Sequence, residues 1–242
     1  MHLPNGLLDP KVSAGASFAA AGVIGYCVAR VRQALSAAVP EAVFASVGNI
    51  ACNVTEGSKK LISSFAENHL MRMGAIGSLI FAAQMFNFPV NSGTSGHLLG
   101  GVIAAIALGP FSGSIVIAAV LAVQSIFFAD GGITALGANI LNMAIFGTFG
   151  CYYIYNLING IFRNDLGYYA GIMLAGFSSV LLASSACAIE IALSGSMPID
   201  RVLPAMASVH SIIGLAEAFL TVIVLEILVS MKFELEGRIK VE

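Results

Sequence analysis

Charge is what this sequence has least of. Its 242 residues include only 11 basic and 13 acidic side chains, 10% of the chain, against 58% hydrophobic residues, whereas a soluble domain carries about 25% charged residues. With a mean hydropathy of +0.91, a water-soluble globule of this size could not cover its own surface, so the chain reads as an all-α integral membrane protein. Each helix crossing the hydrocarbon core takes roughly 20 apolar residues, so seven spans use about 140 positions and leave about 100 for termini and loops. That fits a single membrane domain, 1–242, and leaves no room for a soluble enzyme domain.

Other absences narrow the function further. A net charge of −2 supplies no clustered basic excess to neutralise phosphates, which argues against a nucleic-acid partner. The four cysteines, Cys27, Cys52, Cys151 and Cys187, show no CxxC spacing and read as small structural hydrophobes. No GxxxxGK[ST] loop occurs, so the chain does not hydrolyse ATP through a P-loop. HExxH and GxSxG are missing as well, which leaves an intramembrane hydrolase without a motif.

The apolar runs are what the sequence does have. They predict spans at 12–29, 71–88, 97–109, 111–129, 137–159, 167–193 and 205–231, edged by Gly, Pro, Asn or a charge. With the N-terminus outside and the C-terminus cytoplasmic, all of the 11 basic residues except Lys11 and Arg201 fall inside, a positive-inside bias. Joining the two short runs that flank Gly109 and Pro110 would put Arg163 and the basic C-terminal tail on the wrong side. The expected outer surface holds the N-terminal segment 1–11, the loop 87–96, the loop 129–136 and the turn 194–204.

Two stretches fit this plan less simply. Residues 36–68 mix Val and Phe with Asn49, Glu56, Lys59, Lys60 and Glu67 and read as a cytoplasmic or interfacial insert, with a fragmentary extra helix as the competing reading. In the first span Ser17, Ala21, Gly25 and Ala29 recur at four-residue spacing and give a smooth face for another helix, of this chain or of a partner.

Imidazole is the commonest side-chain ligand for transition metals, and the chain has four histidines. The segment before the first span lacks a signal peptide's basic region, and a bulky second residue disfavours removal of Met1, so a free amine is expected beside His2. Amine, deprotonated His2 amide and His2 imidazole would close adjacent five- and six-membered chelate rings. Such a set suits Co(II), Ni(II) or Cu(II) in planar or tetragonal fields. His97 follows the small-residue loop 91–96 and is expected on the same membrane face. The competing reading is an interfacial imidazole bonded to loop backbone.

In the last span His210 and Glu217, seven residues apart, share one helix face. They form a proton or ion relay or a structural polar seam. His69, beside Glu67 and Arg72, reads as a solvated residue at the inner membrane edge.

Four ordered blocks, MHLPNGLLDPKV, FAAQMFNFPVNSGTSGHLLGG, DGGITALGANILNM and HSIIGLAEAFLT, together resemble CbiM, the substrate-capture membrane component of energy-coupling-factor cobalt transporters, with the nickel relative NikM close by. The resemblance implies a seven-helix bundle in which an extra N-terminal helix joins a six-helix core. It implies metal ligation by Met1, His2 and His97; Thr94, Ser95, Asn139, His210 and Glu217 are our own candidates to surround the ligands. It also implies partners: a CbiQ-like membrane scaffold subunit, CbiO-like cytoplasmic ATPase subunits, and in many cobalt systems a small CbiN-like accessory protein. The insert at 36–68 is longer than in relatives.

The expectation is therefore a non-enzymatic, multi-pass subunit of the cytoplasmic membrane that captures Co2+ for ATP-driven import and cobalamin biosynthesis. Ni2+ is the alternative cargo, and no organic cofactor is expected. A different class, a gradient-driven transporter using Glu190, His210 and Glu217, is the competing hypothesis.

Overall fold

The structure is a computed structural model that describes residues 2–46, 54–86, 88–90 and 94–236. Met1, Cys52, Arg238 and Lys240 lie outside the described residues. The elements are α1 (Pro10–Ser46), α2 (Val54–Gln84), a short antiparallel hairpin of β1 (Phe88–Val90) and β2 (Thr94–Gly96), α3 (Gly101–Phe127), α4 (Leu136–Asn139), α5 (Cys151–Phe162), α6 (Asp165–Leu193) and α7 (Ile199–Ser230). A π-helical stretch, Ile140–Gly150, joins α4 to α5, so Ile133–Phe162 runs on as one helical segment.

Local chemistry sets the element boundaries. Asp9 accepts a hydrogen bond from the Lys11 amide at 2.8 Å, which caps α1, and Pro10 occupies the first helical position, where no N–H is needed. Asn164 caps α6 by accepting from Gly167 N at 2.9 Å.

Among the described residues there are six long helical segments, and five of them are long and apolar enough to cross a membrane. The expected count of seven spans is corrected on this point. The runs 97–109 and 111–129 belong to one element, α3, which breaks at Gly109 (φ 76, ψ 158) ahead of Pro110. The first arm of α3, before Gly109, rises about 12 Å at 1.5 Å per residue, well short of a hydrocarbon core of about 30 Å. Beyond the break the chain folds back on itself, so closely that a Cβ on Gly113 would lie 2.8 Å from the carbonyl carbon of Ala104.

The chain is a multi-pass membrane protein. Large apolar side chains stay outward on every face of the bundle, among them Phe18 at 86% exposure, Phe127 at 75% and Ile212 at 72%, a surface stable in lipid but not in water. Inside, Ile76, Ile80, Leu99, Ala104, Ile117 and Met143 form the main core with residues of α6 and α7. Cys27, Cys151 and Cys187 are buried free thiols. Of the 36–68 stretch, residues 36–46 continue α1 and 54–68 lie in α2.

At the end of the bundle away from His2, His69 is buried rather than solvated. It shares a hydrogen bond with Ser112 Oγ at 3.0 Å and lies 3.3 Å from the Glu236 carboxylate. The cause is the C-terminal segment, which folds back so that Arg72 pairs with Glu236 at 3.0 Å and stacks on Phe233.

Candidate metal-capture site

The site begins with the N-terminal segment, which is threaded into the bundle. His2 is 3% exposed and Leu3 is fully buried. Asn139 of α4 holds Leu3 from both sides, accepting from its N–H at 2.9 Å and donating to its carbonyl at 3.3 Å. The same carbonyl accepts from Gly132 N at 2.8 Å. Two residues on, Asn5 Oδ1 accepts from the amide and hydroxyl of Thr134, both at 3.0 Å.

Close approach requires glycine at two places, one where the strap meets the loop before α4 and one where α4 meets α1. A Cβ on Gly132 would overlap the backbone of Pro4 and Asn5, and one on Gly137 would overlap Ser17. The strap also meets the outer turn after α6, where Ser196 Oγ donates to the Leu7 carbonyl.

The folded-back α3 supplies the other half of the site. Drawn out straight, its 27 residues would be about 40 Å long, and its two ends could not meet one group. Because it reverses at Gly109, His97 just before it and Asp130 just after it both reach His2. The His2 and His97 rings lie with centroids 4.4 Å apart, tilted by 41°. Asp130 Oδ1 accepts from His2 Nδ1 at 2.7 Å.

Both imidazoles present an unfilled nitrogen. His97 Nδ1 lies 2.7 Å from the Leu98 carbonyl, which can only accept, so Nδ1 carries the proton and Nε2 the lone pair. His2 is oriented in the same way by the Asp130 carboxylate. The Nε2 atoms of His2 and His97 are buried without a hydrogen-bond partner. Orphaned buried polar atoms are rare in native structures and point to a missing ligand, and histidines tied at one nitrogen to a carboxylate or carbonyl are oriented as metal ligands usually are.

Electrostatics agree with that orientation. Burial, first of all, holds His97 well below the usual histidine range, with the His2 imidazole acting in the same sense and the Leu98 bond opposing it. His2 is also lowered, again mainly by burial, against the raising effect of its Asp130 bond. Both side chains are therefore neutral and available as donors at neutral pH.

The remaining expected residues are placed as follows. His210 is fully buried on α7, with Nδ1 donating to Met206 O at 2.8 Å and Nε2 unpartnered. Glu217 accepts from Leu99 N at 2.8 Å and Gly100 N at 2.7 Å. Among the described residues no hydrogen bond joins His210 to Glu217, and Glu190 instead accepts from Asn142 at 2.6 Å. Thr94 and Ser95 lie in β2, directly before His97; only their backbone is described. Met1 is outside the described residues.

Sequence reasoning overlooked Asp130, Asn5 and Gln84. The signal for Asp130 was there: a lone charge ahead of two glycines at the expected outer face. Among the described residues no group of three or more His, Cys, Asp or Glu side chains could hold a metal.

Comparison with known proteins extends these observations. Residues 38–235 match the family model CbiM, cobalt uptake substrate-specific transmembrane region, a stretch that includes His97, Asp130 and Glu217 but not His2. A putative fused nickel transport protein NikMN of Archaeoglobus fulgidus is 36% identical over 91% of this chain, which spans 63% of that protein's length. A cobalt transport protein CbiM of Thermosediminibacter oceani is 31% identical over 72% of this chain and 68% of its own. A crystal structure of a truncated transition metal transporter superposes with a TM-score of 0.76 at 26% identity, covering 96% of this chain and 99% of that one.

Proposed function

The chain belongs to the CbiM family, and from that premise we propose that it is the cargo-capturing membrane subunit of an ATP-driven importer of Co2+. The observation that carries the reading is the pair of buried, neutral imidazoles, His2 and His97, whose ring centroids lie 4.4 Å apart and each of which has a ring nitrogen without a partner among the described residues. The proposed ligands are the Met1 amine, the His2 amide and imidazole nitrogens, and His97 Nε2.

The six-membered ring of that chelate closes through His2 Nδ1. In the metal-free protein Asp130 holds this atom, so capture turns the imidazole away from its carboxylate, with the ring proton carried on Nε2 instead. The amide proton is lost. Capture therefore releases protons, and the charge lost from the amide offsets part of the charge of the cation. Asn139 fixes the backbone directly after His2, so that side of the proposed chelate is held before metal arrives, which lowers the entropic cost of binding.

Without a P-loop the chain itself cannot supply the energy. We assign that role to partners, a CbiQ-like scaffold and CbiO-like ATPases with a CbiN-like accessory protein, in the cytoplasmic membrane with the N-terminus outside and the C-terminus inside. The insert at 36–68 then lies on the cytoplasmic side. A second cargo, Ni2+, is favoured by the likeness to the putative nickel transport protein of Archaeoglobus fulgidus and by the general rise in affinity from Co2+ to Ni2+ for such ligands.

Calorimetric titration of the purified chain tests the proposal. The expected result is one Co2+ or Ni2+ bound per chain with release of protons. Absence of saturable binding to either ion would refute it.

A further inference from the structure

The turn that carries His97 is held in place by two buried polar side chains from other helices. Glu217 on α7 accepts the N–H groups of Leu99 and Gly100 at 2.8 and 2.7 Å, one on each carboxylate oxygen. Gln84, at the end of α2, donates to the Leu99 carbonyl at 2.7 Å. Both side chains are at most 2% exposed. Three consecutive backbone groups of the turn, Leu99 N, Leu99 O and Gly100 N, are thereby fixed within three residues of the imidazole.

Why a carboxylate is needed follows from the helix that begins there. Gly100 is the N-cap of α3, in a left-handed conformation (φ 74), and has no side chain to cap the helix. A residue with a side chain is excluded, because its Cβ would lie 2.9 Å from Ile80 Cγ1. Glu217 instead accepts from the two N–H groups that lead into α3, Leu99 and Gly100, which sets its carboxylate at the N-terminal end of the helix, where the dipole favours negative charge. A carboxylate within a membrane bundle is expensive and usually tied to function.

We propose that Glu217 and Gln84 are positioning residues for His97: they touch no cargo, and they fix the turn so that Nε2 faces His2. This rests on the reading of His2 and His97 as ligands. A corollary is that α7 and the capture site are coupled, since displacement of α7 would pull on the Leu99–Gly100 amides and withdraw His97 from the ion.

A double-mutant cycle tests it, with Cu2+ as probe because its tetragonal preference suits a nitrogen set and because it is paramagnetic. Glu217→Gln puts an amide donor against a backbone donor. It is expected to weaken Cu2+ binding by about 10- to 100-fold, the usual effect of losing an outer partner of a ligand. In a His97→Ala background the same change should add less than about a factor of two, because residues acting through one group are not additive. Pulsed EPR should show one coordinated imidazole fewer in Glu217→Gln, as in His97→Ala, and Glu217→Asp should restore part of the signal.

Equal losses from Glu217→Gln in both backgrounds would reduce its role to general stability and overturn the proposal, as would an unchanged affinity. Should Glu217→Gln not fold, Gln84→Met, which frees the same turn from the α2 side, is read in the same cycle with the same two outcomes. Failure of the wild-type chain to bind Cu2+, Ni2+ or Co2+ would instead refute the parent reading.

Discussion

His2 and His97 are 95 positions apart in the chain, and their imidazole rings meet with centroids 4.4 Å apart. Two structural features bring them together. The N-terminal strap is pinned by Asn139 and Gly132, and α3 folds back at Gly109 so that the residues flanking it reach the same point.

The strap predicts a large effect from a residue that touches no ion. Asn139→Ala removes both bonds to Leu3 and should weaken Co2+ affinity by about 10- to 100-fold. Limited proteolysis read by mass spectrometry should also show new cleavage within residues 2–9. A strap that stayed protected and bound Co2+ normally would contradict the pinning.

Two glycine substitutions should separate the strap from the rest of the bundle. Gly132→Ala places a methyl group against the Pro4 and Asn5 backbone and should cost at least about tenfold in affinity, or about 1.4 kcal/mol. Gly22→Ala, on a face of α1 with nothing within 4 Å, should leave affinity unchanged and raise thermal stability slightly, because Ala favours the helix.

The depressed basicity of the two imidazoles gives a pH profile with a definite sign. A histidine with its ordinary value of 6.5 would begin to lose metal to protons just below that pH. Burial lowers both His2 and His97, so the neutral, ligating forms persist to lower pH. The amide and the Met1 amine still shed protons on binding, so affinity should fall steadily with acidification, by about tenfold or more per pH unit, with no added steepening from the imidazoles near pH 6.5. Titrations stepped from about pH 8 to about pH 5 would contradict this if affinity were independent of pH above 6.5, or if the slope rose abruptly just below it.

Much of this was legible in the sequence, for physical reasons. Scarcity of charge and long apolar runs fix a membrane bundle whatever the details. A histidine at position 2 and another in a small-residue loop at the same expected face marked the two ends of the site. The number of spans was misread, because the charge bias favoured a loop between two spans at Gly109 and Pro110, and only packing shows the two arms folded together within one element. Asp130 and Gln84 escaped notice because a single side chain reveals its role only through a partner distant in sequence. His69 looked solvated because the tail that covers it returns from more than 160 residues away.

Energy source separates the import reading from its competitor. Reconstituted alone in vesicles, the chain should bind cargo at the membrane yet accumulate none under an imposed proton gradient. Glu190 and Glu217 are each held by other groups and form no chain with His210. Uptake without any ATPase would favour gradient-driven transport instead.

The most direct measurement is the Co2+ dissociation constant of the chain as written beside three variants: His2→Ala, His97→Ala, and the chain with one glycine fused ahead of Met1. Nitrogen ligation at the folded-in N-terminus predicts a loss of about 100-fold or more, about 2.7 kcal/mol, in each of the three. Unchanged affinity in the glycine-extended and His2→Ala chains would place the ion elsewhere and contradict the account.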